Sequence, residues 1–148
     1  PLWSLYFRHF ARVEEPLYYY YQHAVSTVHH ITEEKCRDRM KAAELLYTGC
    51  RDRGFLAEYR QEIEYRFTEL YYAITLFSYM SGVKKPKISF IRELRQGTEK
   101  YFPEFDQNKY YLQHTGVEEQ KLIAMQRKSD LRFYLYYRLR QFVWKLRA

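Results

Sequence analysis

Two stretches of this chain hold residue types that could do chemistry. The first is Tyr21-Gln22-His23-Ala24-Val25-Ser26-Thr27-Val28-His29-His30. A histidine with hydroxyls three and four residues on can bind a metal ion or a phosphate. A metal would also need a carboxylate, and this segment has none. Structural or capping roles for His23, His29 and His30 therefore stand beside the ligand role. The second stretch is 131–147, where Arg132, Arg138, Arg140, Lys145 and Arg147 interleave with Leu, Phe, Tyr and Trp144, without one acid. Such cations are drawn to anionic lipid, and Trp and Tyr suit the headgroup layer. Tyrosines and arginines can also stack on nucleic-acid bases.

Elsewhere the chemistry is bland. There is no phosphate-binding loop, dinucleotide fingerprint, nucleophile elbow or paired-cysteine metal motif. Glu58, Glu62 and Glu69, with Arg60 and Arg66 nearby, read as a solvated, salt-bridged helix face. Cys36 and Cys50 fall on one predicted helix, about 21 Å apart at ~1.5 Å per residue, which excludes a disulfide between them. They read as buried thiols.

The elements that position these groups follow from spacing. Residues 1–10 predict a short helix. Leu17-Tyr18-Tyr19-Tyr20-Tyr21, after Glu14-Glu15-Pro16, predicts a strand with aromatics on both faces, in a strand or hairpin lead-in. Thr32 is the expected N-cap of a helix whose first turn carries Glu33 and Glu34. Its inward positions are Cys36, Met40, Ala43, Leu46 or Tyr47, and Cys50, and Gly54 fits its C-terminal stop. A second helix is predicted over 56–80, with Tyr59, Ile63, Phe67, Leu70, Ile74 and Phe77 inward. A third runs over 87–100, with Ile88, Ile91 and Leu94 inward, and Phe102-Pro103 breaks it. A short helical piece covers 106–113. Thr115-Gly116-Val117-Glu118 reads as a capping box opening one last helix over 117–146, with Leu122, Met125 and Ser129 inward. The expected fold is mainly α: a bundle of four or five helices behind the lead-in.

Composition bounds the rest. The 148 residues are 47% apolar, enough for one real core, and two cysteines exclude a disulfide scaffold. The longest uncharged stretch, from Leu70 to Val83, is too short for a membrane span of roughly 20 residues. Free cysteines suggest a reducing compartment, hence the cytoplasm. The net charge is +7, and residues 131–148 supply five of those seven charges. A global nucleic-acid footprint is not what this pattern describes. The chain opens Pro1-Leu2-Trp3 without Met and reads as part of something longer.

Glu14-Glu15-Pro16-Leu17-Tyr18-Tyr19-Tyr20-Tyr21-Gln22-His23-Ala24-Val25-Ser26-Thr27 resembles the end of the catalytic domain in bacterial family 2 glycosyltransferases of the GT-A type. The resemblance covers about residues 1–32, the expected edge of a catalytic domain. Residues 33–148 look like the helical C-terminal extension many such enzymes carry. It implies transfer of a sugar from a nucleotide-sugar donor to a cell-surface glycan or lipid-linked acceptor. In that family an Asp-x-Asp motif holds Mg²⁺ or Mn²⁺ on the donor diphosphate, and a histidine near the domain's end helps hold the metal or diphosphate. By position His23 takes that role, with Ser26 nearby. Many relatives carry Arg where this chain has Gln22. No Asp-x-Asp motif lies in this sequence and no candidate base lies in the place the family requires, so no catalytic residue and no cofactor is expected in these 148 residues, which alone should be inactive.

For residues 33–148 three readings remain: packing on a catalytic domain, self-association as a homodimer, or docking on the inner face of the cell membrane. Arg132, Arg138, Arg140, Trp144, Lys145 and Arg147 are the candidates for the docking, against which stands a tail whose Phe133, Tyr136, Tyr137 and Val143 pack in the bundle with the arginines reaching outward. The alternative is a stand-alone helical module that binds a protein or, less in keeping with the charge pattern, a nucleic acid.

Overall fold

The computed structural model describes residues 5–19 and 30–147, with the side chains of Lys145 and Arg147 outside that description. It is mainly helical. In order come α1 (Glu33–Asp52), α2 (Arg60–Phe67), a π-helical segment (Thr68–Ala73), α3 (Ile74–Gly82), α4 (Ile88–Tyr101), a 3₁₀ turn (Phe105–Gln107), α5 (Lys109–His114), α6 (Val117–Lys128) and α7 (Asp130–Arg147).

The ends of α1 form as their residues dictate. Thr32 Oγ1 accepts the Lys35 N–H at 3.2 Å, and Glu33 and Glu34 occupy the first turn. At the other end Gly54 takes φ +78°, the left-handed conformation that glycine adopts without cost. Its N–H donates to Arg51 O and that of Phe55 to Cys50 O, at 3.0 and 2.9 Å, the paired bonds of a Schellman stop. Between these ends Cys36, Met40, Ala43 and Cys50 are buried, as their spacing predicts. Both cysteines are free, and burial pushes each thiol up.

The expected strand does not form at Leu17–Tyr19. No strand occurs among the described residues, and Tyr20 and Tyr21 lie outside them. β-prone side chains need a neighbouring strand to take their backbone hydrogen bonds, and the body beside them is helical. Tyr6 meets Phe55 edge-on, with ring centroids 5.2 Å apart. Along the same segment Tyr6, Phe10, Val13, Leu17, Tyr18 and Tyr19 remain largely exposed.

The second helix departs from its predicted face. Up to Phe67 the expected positions Ile63 and Phe67 are buried. The π-helical segment then widens the turn, and the Ile74 N–H reaches back five residues to Glu69 O. The Thr75 hydroxyl does likewise, donating to Leu70 O at 2.7 Å. A widened turn holds one extra residue, so every later position rotates by about 100°. Tyr71, Tyr72, Thr75, Leu76, Tyr79 and Met80 therefore face inward. Leu70 and Phe77 are only partly buried, and Ile74 is exposed.

The core is strongly aromatic. Phe67 lies stacked on Tyr71 with centroids 4.9 Å apart and an interplanar angle of 13°, and Tyr47, Tyr101 and Phe102 surround it. The π-helical segment packs on α1 and α4, and α7 packs on α4 and α6. In α4 the inward residues are Phe90, Ile91, Leu94 and Thr98, and Ile88 is half-exposed. Phe102 caps that helix, as the Phe-Pro pair predicts.

Gly97 of α4 lies directly against the Tyr71 ring of the π-helical segment. A Cβ there would stand 2.8 Å from Tyr71 Cε1 and Cζ and closer still to its hydroxyl. Alanine inside a helix gains about 0.5–1 kcal/mol over glycine. Displacing a buried ring typically costs about 1–3 kcal/mol, so the clash wins. Gly97→Ala should lower stability by about 1 kcal/mol net, read as a lower urea midpoint with an unchanged slope.

Candidate functional site

The cationic helix is built by a break that its sequence pattern hid. The expected single helix over 117–146 is two helices, because Ser129 takes an extended backbone (φ −163°, ψ 112°). Its hydroxyl accepts the Arg132 N–H at 3.3 Å, so Ser129 starts α7 and does not face inward along α6. The capping box is also corrected. Gly116 stands at the N-cap of α6, with no side-chain cap bond. Thr115 instead ends α5, where its carbonyl accepts Gln120 Nε2 at 2.8 Å.

Asp130, the first residue of α7, anchors it. Arg95 grips its carboxylate with two nitrogens, each at 3.1 Å, and Arg92 Nε adds a third bond at 3.2 Å. Gln126 Nε2 donates to Asp130 Oδ1 at 3.4 Å and to Ile91 O at 2.6 Å. The Tyr72 hydroxyl donates to Gln126 Oε1 at 2.9 Å. Burial pushes Asp130 up, but Arg95, Arg92 and Gln126 together outweigh it and hold the carboxyl below its ordinary value. Burial pushes the Tyr72 phenol well up, so it stays a proton donor. Arg95 continues to Glu99 at 2.9 Å, and Arg127 ties Glu99 to Asp106. One polar chain thus joins the π-helical segment, α4, α6 and α7.

Sequence reasoning missed this anchor. The inward positions of α6 and the junction are Leu122, Ile123, Gln126 and Asp130, and Met125 is only partly buried. A signal was present: Asp130 is the one acid after Glu119. A lone carboxylate in a cationic stretch has a partner to find.

The body-facing side of α7 carries Phe133, which is fully buried, and Tyr137, which stacks on Phe77 with centroids 6.2 Å apart. Gln141 Nε2 donates to Met80 O at 2.9 Å. Beside them a groove of about 350 Å³ runs between α3, α6 and α7. Arg140 spans its rim, paired with Glu118 and 5.3 Å from the centroid of the Trp144 ring. Arg140 is therefore part of the seat of α7.

The opposite side is open. Leu131, Leu135, Leu139, Phe142 and Leu146 are 54–71% exposed, at steps of 4-4-3-4 that place them on one stripe. Arg132 and Arg138 are exposed beside it, whereas Trp144, though exposed, lines the groove with Arg140 on the other side of the helix. The Lys145 and Arg147 side chains lie outside the described residues, as do His23 and Ser26 of the first candidate cluster. His30 is described, and its carbonyl accepts Lys35 Nζ at 2.7 Å. Among the described residues no group of three or more His, Cys, Asp or Glu side chains is placed to hold a metal ion. No helix among them is long and apolar enough to cross a membrane.

No protein family, curated protein or solved structure matches this chain.

Proposed function

We propose that this chain serves sugar transfer from a nucleotide-sugar donor to a glycan or lipid-linked acceptor. Residues 1–32 complete a catalytic domain's edge in this reading, and residues 33–148 form a helical extension beside it. The observation that carries the division is the contrast between the two parts. From Glu33 onward the chain closes an aromatic core of its own, while Tyr6, Phe10, Val13, Leu17, Tyr18 and Tyr19 keep their apolar surface open. Exposed apolar residues in such a run are those another element covers. By its resemblance, the Glu14–Thr27 motif points to the sheet edge of a family 2 glycosyltransferase as that element. There His23 would meet the donor diphosphate or its Mg²⁺ or Mn²⁺, with Ser26 beside it.

The experiment is release of nucleoside diphosphate from a panel of nucleotide sugars with Mn²⁺, using the protein as its cell makes it. Turnover is expected, with none from residues 1–148 alone. His23→Ala should reduce it about 10–100-fold, the usual loss when a group that orients a bound metal is removed. Absence of turnover, or full activity in His23→Ala, overturns the reading.

A further inference from the structure

We infer that α7 lies on an anionic lipid surface, with Leu131, Leu135, Leu139, Phe142 and Leu146 turned into the headgroup layer. This stands on the helix's own geometry and is independent of the sugar-transfer reading, because the assay below contains no nucleotide sugar.

The stripe is continuous along the helix and points away from the body that holds it. Phe133 and Tyr137 face inward and Gln141 is bonded to Met80 O, so the exposed leucines are not spare core. An amphipathic helix of this kind, apolar on one side with cations at its borders, lies in the interface plane. At ~1.5 Å per residue α7 is about 27 Å long, and it is firmly attached at its first residue through Asp130.

Charge decides the occupant. After Asp130 the helix has no carboxylate, and the exposed Arg132 and Arg138 border the stripe. Two copies meeting along this seam would set cations against cations, with no acid at the flanking positions that specify helix pairing. A membrane of anionic headgroups supplies the missing charge along the whole helix.

The test is co-sedimentation of the whole 148-residue chain with phosphatidylcholine vesicles, with and without phosphatidylglycerol. Binding is expected to the anionic vesicles and to weaken with salt. Arg132→Ser/Arg138→Ser should weaken it about 30-fold, since each cation near such a surface acts separately. Leu135→Ser/Leu139→Ser should weaken it about 100-fold. Both variants should keep the parent's helical circular dichroism, because they alter exposed side chains. Three results overturn the inference: equal pelleting with and without phosphatidylglycerol, binding that neither double variant weakens, or a concentration-dependent dimer that Leu135→Ser/Leu139→Ser abolishes while the parent ignores vesicles.

Discussion

Asp130→Ala should destabilise the protein by roughly 2–4 kcal/mol, measured by urea unfolding at neutral pH. Asp130 is 8% exposed and takes bonds from Arg95, Arg92 and Gln126. Removing one member of a buried charged pair costs about 3–5 kcal/mol, because its partner is left desolvated and unpaired. The Arg92 side chain is 55% exposed and water can take it back, whereas that of Arg95 is 19% exposed. The lower range follows from that difference. Asp130→Asn keeps the shape and one acceptor oxygen, so it should lose less than the alanine variant. The pH dependence has a definite sign. The folded carboxyl sits below its ordinary value, so its contribution is present above the unfolded pKa of about 3.9 and is lost as pH falls through the folded value. The stability gap between the parent and Asp130→Asn should be widest near neutrality and close below about pH 4. A gap that stays constant down to pH 3 would mean that the charge of Asp130 contributes nothing.

The parts of this fold legible in the sequence are those governed by neighbours along the chain. Thr32, Gly54 and the stripe from Cys36 to Cys50 act within a few residues, and each does what its type and spacing require. The failures at Ser129 and at Leu17–Tyr19 have one kind of cause, a partner distant in sequence, whereas the register change after Phe67 comes from a local widened turn. The break at Ser129 forms where Asp130 meets Arg92 and Arg95, thirty-eight and thirty-five residues back. Leu17-Tyr18-Tyr19 has strand composition, but a strand also requires a second one to pair with. The cations of the tail were legible as a cluster. Their sorting was not: only packing shows that Arg140 is committed to Glu118 and Trp144 while Arg132 and Arg138 stand beside the open stripe. The apolar residues of that tail divide in the same way, with Phe133 inside and Leu135, Leu139 and Phe142 outside. Periodicity alone assigns two faces to a helix and leaves open which one the body takes.

The sharpest consequence of the π-helical segment is a reversal between two residues two positions apart. Regular periodicity from Phe67 puts Ile74 in the core and leaves Leu76 off the stripe. The observed helix does the opposite, with Leu76 0% and Ile74 40% exposed. A Leu→Ala change at a fully buried site removes three carbons' worth of packing and leaves a cavity, which costs roughly 2–5 kcal/mol. At Ile74 much of the same surface already meets water, so little burial and no closed cavity are lost. Leu76→Ala should therefore lower the unfolding free energy by about 3 kcal/mol, and Ile74→Ala by less than about 1 kcal/mol. The denaturant slope should stay constant, so that the midpoints carry the comparison. Helix propensity cannot imitate this pattern, because alanine is at least as good a helix former as either residue. Reversed costs would mean that the helix keeps a regular α register past Phe67. In that case Tyr72 would also turn away from Gln126, and the polar chain that reaches Asp130 would lose its first member. The extra residue in that one turn therefore governs both the aromatic core and the anchor of the cationic helix.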